Sequence, residues 1–369
     1  CSGASGPQPG AGAPGEPTFL RVVTYNVLHA PLCSERRFPH CRPEDLDEAV
    51  RWQRVRAKLE GCLAAEWPTV ICLQEVGEGW AARLHAFFQQ RGWHFAYALT
   101  PMTQWLPMGV ALAWPNAALE LEQLQVLRPG AAVEAPAPQR PSGFQRLLAA
   151  LTGGRLGAAQ APPEPWSMAA RKQNRLLAAR LRDVRTGRAF VVATYHMPCL
   201  FGDPVYRQAK AIHAALLRDA VLRFAGEADL VLAGDFNTKP QDSELQLLQR
   251  GALGAEDVAR PPATEGLALD AWLPEGGRGG PGHLRSAYAE ALGREPPCTN
   301  YAWIENEPEP FQDTIDYVLV SERVDIVGVR ELPSISPGDP VYPSAEEPSD
   351  HVLLAADVRL GGAAAAARA

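Results

Sequence analysis

The segment VLAGDFNTKP, residues 231–240, sets the reading of the whole chain. Leu230–Ala233 reads as a short buried strand, and it runs directly into Gly234-Asp235-Phe236-Asn237. A carboxylate and an amide at the end of such a strand occupy a place where layered α/β folds carry function, on loops held by rigid strands. The same arrangement recurs along the chain. The β-rich run FLRVVTYNVL (19–28) carries Tyr25-Asn26, and Val70–Leu73 ends in Gln74-Glu75. Phe190–Tyr195 leads into His196, Asp316 lies inside the strand Ile315–Val320, and Ser349-Asp350-His351 precedes the last strand, Val352–Val358. Asp, Glu, Asn and His are poor strand-interior residues. Their repeated placement beside β-branched runs predicts convergence on one pocket.

Helical patterns alternate with these strands. Leu46, Val50, Val55, Leu59 and Leu63 recur near a 3.6-residue period and predict a helix over 46–65. Trp80–Gln90 reads as a second helix stopped by Gly92, and Val205–Phe224 as a long amphipathic third. Val110–Trp114 is a further strand, and Asn174–Leu181 and Phe190–Tyr195 form a hairpin around Thr186-Gly187. The interleaving gives an α/β fold class. Residues 1–17 read as a flexible tail, 18–359 as one domain with an irregular insertion at about 115–170, and 360–369 as a low-complexity tail.

A chain of 369 residues buries most of its apolar surface without disulfide or metal staples. The net charge of −7 removes a global basic field, so contact with nucleic acid has to come from a local patch. The seven cysteines are odd in number and irregular in spacing, which reads as thiols in a reducing compartment. No apolar run approaches the ~20 residues of a membrane helix. An intracellular location is favoured; Cys1 before a Ser/Gly/Pro tether is also compatible with a lipoprotein end.

The polar clusters form an inventory for cleaving a phosphate ester: an activated water, neutralisation of the phosphoryl oxygens, and help for the leaving oxygen. A hard cation performs the second task and prefers carboxylate oxygens. Glu75 is the leading ligand, with Asp350 and Asn26 beside it. His351 faces the phosphate, and Asp316 fixes its ring and favours its charged form. Asp235 orients or deprotonates water, and Asn237 donates to a phosphate oxygen. Asn174 and Asn300 join Asn237 as candidate contacts to substrate, and His196 joins the catalytic set. The chain shows no Cys/His set at zinc spacing, no Walker glycine loop and no G-x-S-x-G elbow.

In this order the motifs VVTYNVL (22–28), VICLQEV (70–76), ATYHMP (193–198), VLAGDFNTKP (231–240), DTIDYVLVS (313–321) and PSDHVLL (348–354) resemble the endonuclease/exonuclease/phosphatase superfamily. The resemblance implies the deoxyribonuclease-I-like fold, a two-layer β-sandwich flanked by helices. It also implies Mg²⁺, with Mn²⁺ as a substitute, at Glu75, Asn26 and Asp350, and roles for His351, Asp316, Asp235, Asn237 and His196 as above. GDFNTKPQDSELQLLQRG (234–251) and SAYAEALGREPPCTNYAW (286–303) are similar to the deadenylase, nocturnin, Angel and 2′-5′ phosphodiesterase group. Two departures stand out: the Asp-Gly that this group often carries before the Met108-Gly109-Val110 strand, and leucine-rich repeats for scaffold docking. The expected activity is 3′ exoribonuclease or nucleotide phosphodiesterase action by a monomer on an RNA 3′ end or a nucleotide. The alternatives are a lipid-headgroup phosphoesterase, a nucleotide 2′-phosphatase and a non-catalytic binding protein.

Overall fold

The computed structural model describes residues 16–100, 107–133, 164–264, 267–273, 282–336 and 338–361. Most of the two expected tails, and residues 134–163 of the expected insertion, lie outside them.

Two six-stranded sheets pack face to face. The first has the order β13-β14-β1-β2-β4-β3, with β3 at Trp93–Thr100 and β13 at Asp325–Val329; the second has the order β5-β6-β7-β8-β12-β9, with β5 at Leu119–Leu127 and β9 at Leu284–Ser286. The strands that build the site are β1 (Thr18–Asn26), β2 (Thr69–Gly77), β4 (Met108–Pro115), β6 (Leu176–Asp183), β7 (Ala189–His196), β8 (Asp229–Asp235), β12 (Asp316–Ser321) and β14 (Leu354–Leu360). Pairing is mostly antiparallel, with β1–β2 and β7–β8 parallel. The expected two-layer sandwich flanked by helices is therefore the observed one.

The near-continuous apolar strands follow from burial on both faces. In β1, Leu20 and Val22 point between the sheets, where they join Val70, Leu112, Val192, Val231 and Val318. Val23 and Tyr25 point outward onto Val55, Leu59, Leu84 and Phe88 of the helices Glu48–Leu63 and Glu78–Gln89. The second sheet is covered by the helix Pro204–Ala225, whose Ile212 and Leu216 pack with Val191, Ala193, Leu230 and Leu232. The first helix starts two residues later than its periodicity predicts. Asp47 caps it, accepting from the amides of Ala49 and Val50. Pro43–Leu46 forms a separate short turn of helix before it.

The expectation of an irregular insertion from 115 is corrected. Leu119–Leu127 is strand β5, an edge strand paired with β6, and Pro165–Arg171 is a short helix. The alternation in LELEQLQVL that marks β5 is interrupted by a register shift between Leu121 and Gln123, and most of its side chains face solvent. An edge strand of this kind lacks the apolar run that identified the central ones. No helix of the described residues is long and apolar enough to cross a membrane.

The long helix carries one buried histidine. His213 is fully buried, with Nδ1 3.0 Å from the Tyr195 hydroxyl and Nε2 3.1 Å from the Ala169 carbonyl oxygen. Burial lowers its pKa to about 4 from the ordinary 6.5. The unfolded chain therefore takes up a proton near pH 6.5 that the folded chain refuses until about pH 4. Stability from this residue is complete above pH 6.5 and is lost as pH falls, by at most about 3 kcal/mol. Urea unfolding of wild type and His213→Gln across pH 7 to 4 checks this. The variant should lose correspondingly less stability over that range, and equal pH slopes would contradict the assignment.

Candidate active site

Strand register assembles the site. In the parallel pair β7–β8 His196 lies opposite Asp235, and in the antiparallel pair β12–β8 Asp316 lies opposite Asp235. Residues opposite each other in a ladder point to the same face, so His196, Asp235 and Asp316 form a row across three adjacent strands. Gly234 makes this spacing possible: a Cβ there would stand 2.1 Å from the Tyr195 carbonyl oxygen.

The facing sheet contributes Asn26, at the end of β1, and Glu75, near the end of β2. The β2–β4 register shifts between Leu73 and Val76, and Glu75 adopts a left-handed φ of +56°. Such irregularities re-aim side chains and cluster at functional sites. Here Gln74 points between the sheets, where its Nε2 donates to Thr24 Oγ1 (3.1 Å) and Thr194 Oγ1 (2.9 Å). Glu75 is turned into the cleft. Leu28 (φ +52°) and Asn237 (φ +46°) share the left-handed conformation, so three of the four such non-glycine residues among those described stand at the site.

These groups interlock. Asn26 Nδ2 donates to Glu75 Oε1 at 3.1 Å and to Asp235 Oδ2 at 3.0 Å, bridging the two sheets. The His29 amide donates to Glu75 Oε2 at 3.0 Å. His196 Nε2 lies 3.4 Å from Asp235 Oδ2 and 4.0 Å from Glu75 Oε1. His351 Nδ1 is 2.8 Å from Asp316 Oδ2, and its Nε2 lies 3.6 Å from Asp235 Oδ2 and 4.0 Å from Asp350 Oδ1. Thr299 Oγ1 donates to the same Asp316 oxygen at 2.8 Å while accepting from the amides of Ile315 and Asp316.

The electrostatics follow from this crowding. Burial alone would lower the pKa of His351, but Asp316, Asp235 and Asp350 outweigh it and hold the imidazole well above its ordinary value. Burial raises Asp235, against the pull of His351, and raises Asp350. For Glu75 burial is opposed by His196, the His29 amide and Asn26, which together leave it lowered. Four carboxylates thus meet two imidazoles. That anionic excess, in hard oxygen donors, fits a hard divalent cation. Glu75 and Asp350 keep 13% and 11% of their side chains accessible, so an ion can reach them.

The structure gives three of the expected residues a first task different from the expected one. Asn26 turns its amide nitrogen toward Glu75 and Asp235, and its Oδ1 accepts from the Leu28 amide at 2.9 Å, because the group lies between two anions. Asn237 spends one Nδ2 hydrogen on the Met197 carbonyl (2.9 Å) rather than on open cleft. Asn174 donates to the His196 carbonyl at 2.7 Å and so holds the strand end that carries His196. Asn300 bridges His351 in antiparallel fashion, which puts both side chains on one face, and its own side chain has no hydrogen-bond partner among the described residues.

Sequence reading missed Thr299, Arg51 and the His29 amide, and it singled out Ser349 within a polar cluster without giving it a task. Ser349 Oγ donates to the Asn26 carbonyl at 2.7 Å. Buried Arg51 donates to the carbonyls of Pro348, Val27 and Leu28, tying the segment before Asp350 to the one after Asn26. Thr299 lies in the CTNYAW stretch singled out above, and its hydroxyl beside an aromatic run was the available signal. Arg51 falls on the predicted helix and, as an arginine, reads there as a solvent residue.

Comparisons with known proteins bear on the fold and the family. The chain is 27% identical over 366 residues to Nocturnin of Drosophila melanogaster, covering 94% of this chain and 48% of that protein. It is 30% identical over 216 residues to the CCR4-Not complex 3′-5′-exoribonuclease subunit Ccr4 of Yarrowia lipolytica, covering 50% of this chain and 28% of that protein. The chain therefore spans half or less of these relatives' length. Among solved structures it is similar to ANGEL2, described as a 2′,3′-cyclic phosphatase, in complex with adenosine-2′,3′-vanadate. The TM-score is 0.67 at 18% identity, over 95% of this chain and 98% of that one. The human Nocturnin catalytic domain with bound sulfate superposes with a TM-score of 0.56 at 19% identity, over 93% and 97%. The family model for the Endonuclease/Exonuclease/phosphatase family matches residues 23–351, nearly the whole of the described fold. The chain is a member of the endonuclease/exonuclease/phosphatase family.

Proposed function

We propose that the chain is a Mg²⁺-dependent phosphodiesterase acting on the 3′ end of RNA or on a nucleotide. The observation that carries this reading is the His196–Asp235–Asp316 row, with His351 held against Asp316, Glu75 4.0 Å from His196 and Asp350 4.0 Å from His351. Glu75 and Asp350, with Asn26 beside them, would hold the ion. When bound, a divalent cation supplies positive charge against the phosphoryl oxygens.

The remaining work falls to the chain. Asp316 holds His351 charged and fixes its ring, leaving Nε2–H to donate to a non-bridging phosphoryl oxygen. His196 approaches Asp235 from the opposite side and supplies a second donor. Asp235, raised by burial, orients the attacking water and accepts its proton. Asn300, bridged to His351, would contact substrate on that face. The net charge of −7 suits a short or nucleotide substrate better than a long polymer. A panel of oligoadenylate, sphingomyelin and a dinucleotide 2′-phosphate with Mg²⁺ tests the substrate class. Cleavage of sphingomyelin alone would overturn the RNA or nucleotide reading.

Chelation should abolish turnover, and Mg²⁺ or Mn²⁺ should restore it. Glu75→Gln should raise the Mg²⁺ concentration needed for half-maximal rate, with partial rescue at excess Mg²⁺. Full activity in chelator would refute the metal dependence.

Asp316→Asn keeps the shape of the pair and removes its charge, so turnover should fall by about 10²-fold or more. His351→Ala should cost a similar or larger factor. The double variant should be little worse than the worse single one, since the two act as a unit. Losses that multiply in the double variant would show that the residues work independently.

A further inference from the structure

Lys210 is the one lysine among the described residues that is buried, at 1% exposure, and nothing above uses it. It sits on the helix Pro204–Ala225. Its Nζ donates to the Asn237 carbonyl oxygen at 2.8 Å. The same ammonium lies 4.5 Å from the Phe201 ring centroid, 3.9 Å from Glu244 Oε1 and 4.0 Å from Asp242 Oδ2. Glu244 is already bonded by Arg207, at 2.9 and 3.2 Å. The short, directional contact of Lys210 is therefore the one to Asn237.

That contact begins a relay into the site. Asn237 holds a left-handed backbone, a conformation that persists in a non-glycine residue when its surroundings over-determine it. Its amide donates to Asp235 Oδ1 at 2.9 Å, and its Nδ2 donates to the Met197 carbonyl. The Met197 amide in turn donates to the Asp235 carbonyl at 2.8 Å. The orientation of the Asp235 carboxylate thus depends on the Asn237 N–H, and the carbonyl on the other side of the same Cα is held from behind by the lysine.

We propose that Lys210 is a positioning residue for the reaction: its ammonium, bonded to the Asn237 carbonyl, fixes the turn that aims Asp235 at the attacking water. This rests on the reading of Asp235 given above. Removing the donor leaves substrate contacts in place and loosens the water-orienting carboxylate, so the loss falls on kcat and leaves KM nearly unchanged.

Lys210→Met keeps the apolar stem as far as the position of Cε and removes the donor. With Mg²⁺ and a short oligoadenylate, kcat should fall about tenfold or more while KM stays within about twofold, in line with the cost of small misplacements. Amide exchange over residues 235–239 should speed up by about tenfold, with β7 and β12 unchanged. Retained kcat, or unchanged exchange in this turn, would overturn the proposal. Should Lys210→Met fail to fold, Lys210→Gln keeps a polar end one atom too short for the bond, and wild-type kcat in that variant would equally overturn it. Asp235→Asn, run in parallel, separates the two claims. If it stays active, the reading of the site fails, while the exchange data still judge the hold of Lys210 on the turn. If it is inactive and Lys210→Met is fully active, the role of Lys210 alone fails.

Discussion

Glu75, Asp235, Asp316 and Asp350 are brought to one edge of two packed sheets, and the surrounding structure answers the repulsion this creates. Two of them, Asp235 and Asp316, lie directly opposite each other on neighbouring strands. Like charges so placed are destabilising unless compensated. His351 is wedged against both, Thr299 bonds the oxygen of Asp316 that faces His351, and Asn26 spans Asp235 and Glu75. The positive-φ residues, the β2 irregularity and the Arg51 ties between loops are the backbone's part of the same solution.

The central strands were readable because burial on both faces makes them continuous apolar runs, and the polar residues that interrupt them stand out. Asp316 is the clearest case: a carboxylate between Ile315 and Tyr317 has to find a partner, and the structure supplies His351. The edge strand β5 was not readable, since its exposed face erases the apolar signal. The tasks of Asn26, Asn174 and Asn237 were hidden for another reason. An amide offers both donor and acceptor, and sequence does not say which end faces the anions. Partners formed by main-chain atoms, such as the His29 amide on Glu75, leave no trace in residue identity.

The fold is shared with ANGEL2 at 18% identity and with the human Nocturnin catalytic domain at 19%. A site built from ladder register explains such tolerance. The His196–Asp235–Asp316 row needs matched strand ends and a glycine beside Asp235, while most core positions need only apolar bulk.

The central claim is that this anionic edge is a cation site. Soaking crystals with Mn²⁺ and recording anomalous diffraction tests it most directly. The account predicts an anomalous peak beside the carboxylates of Glu75 and Asp350. A map without a peak at this edge, or with manganese bound only elsewhere, would contradict it.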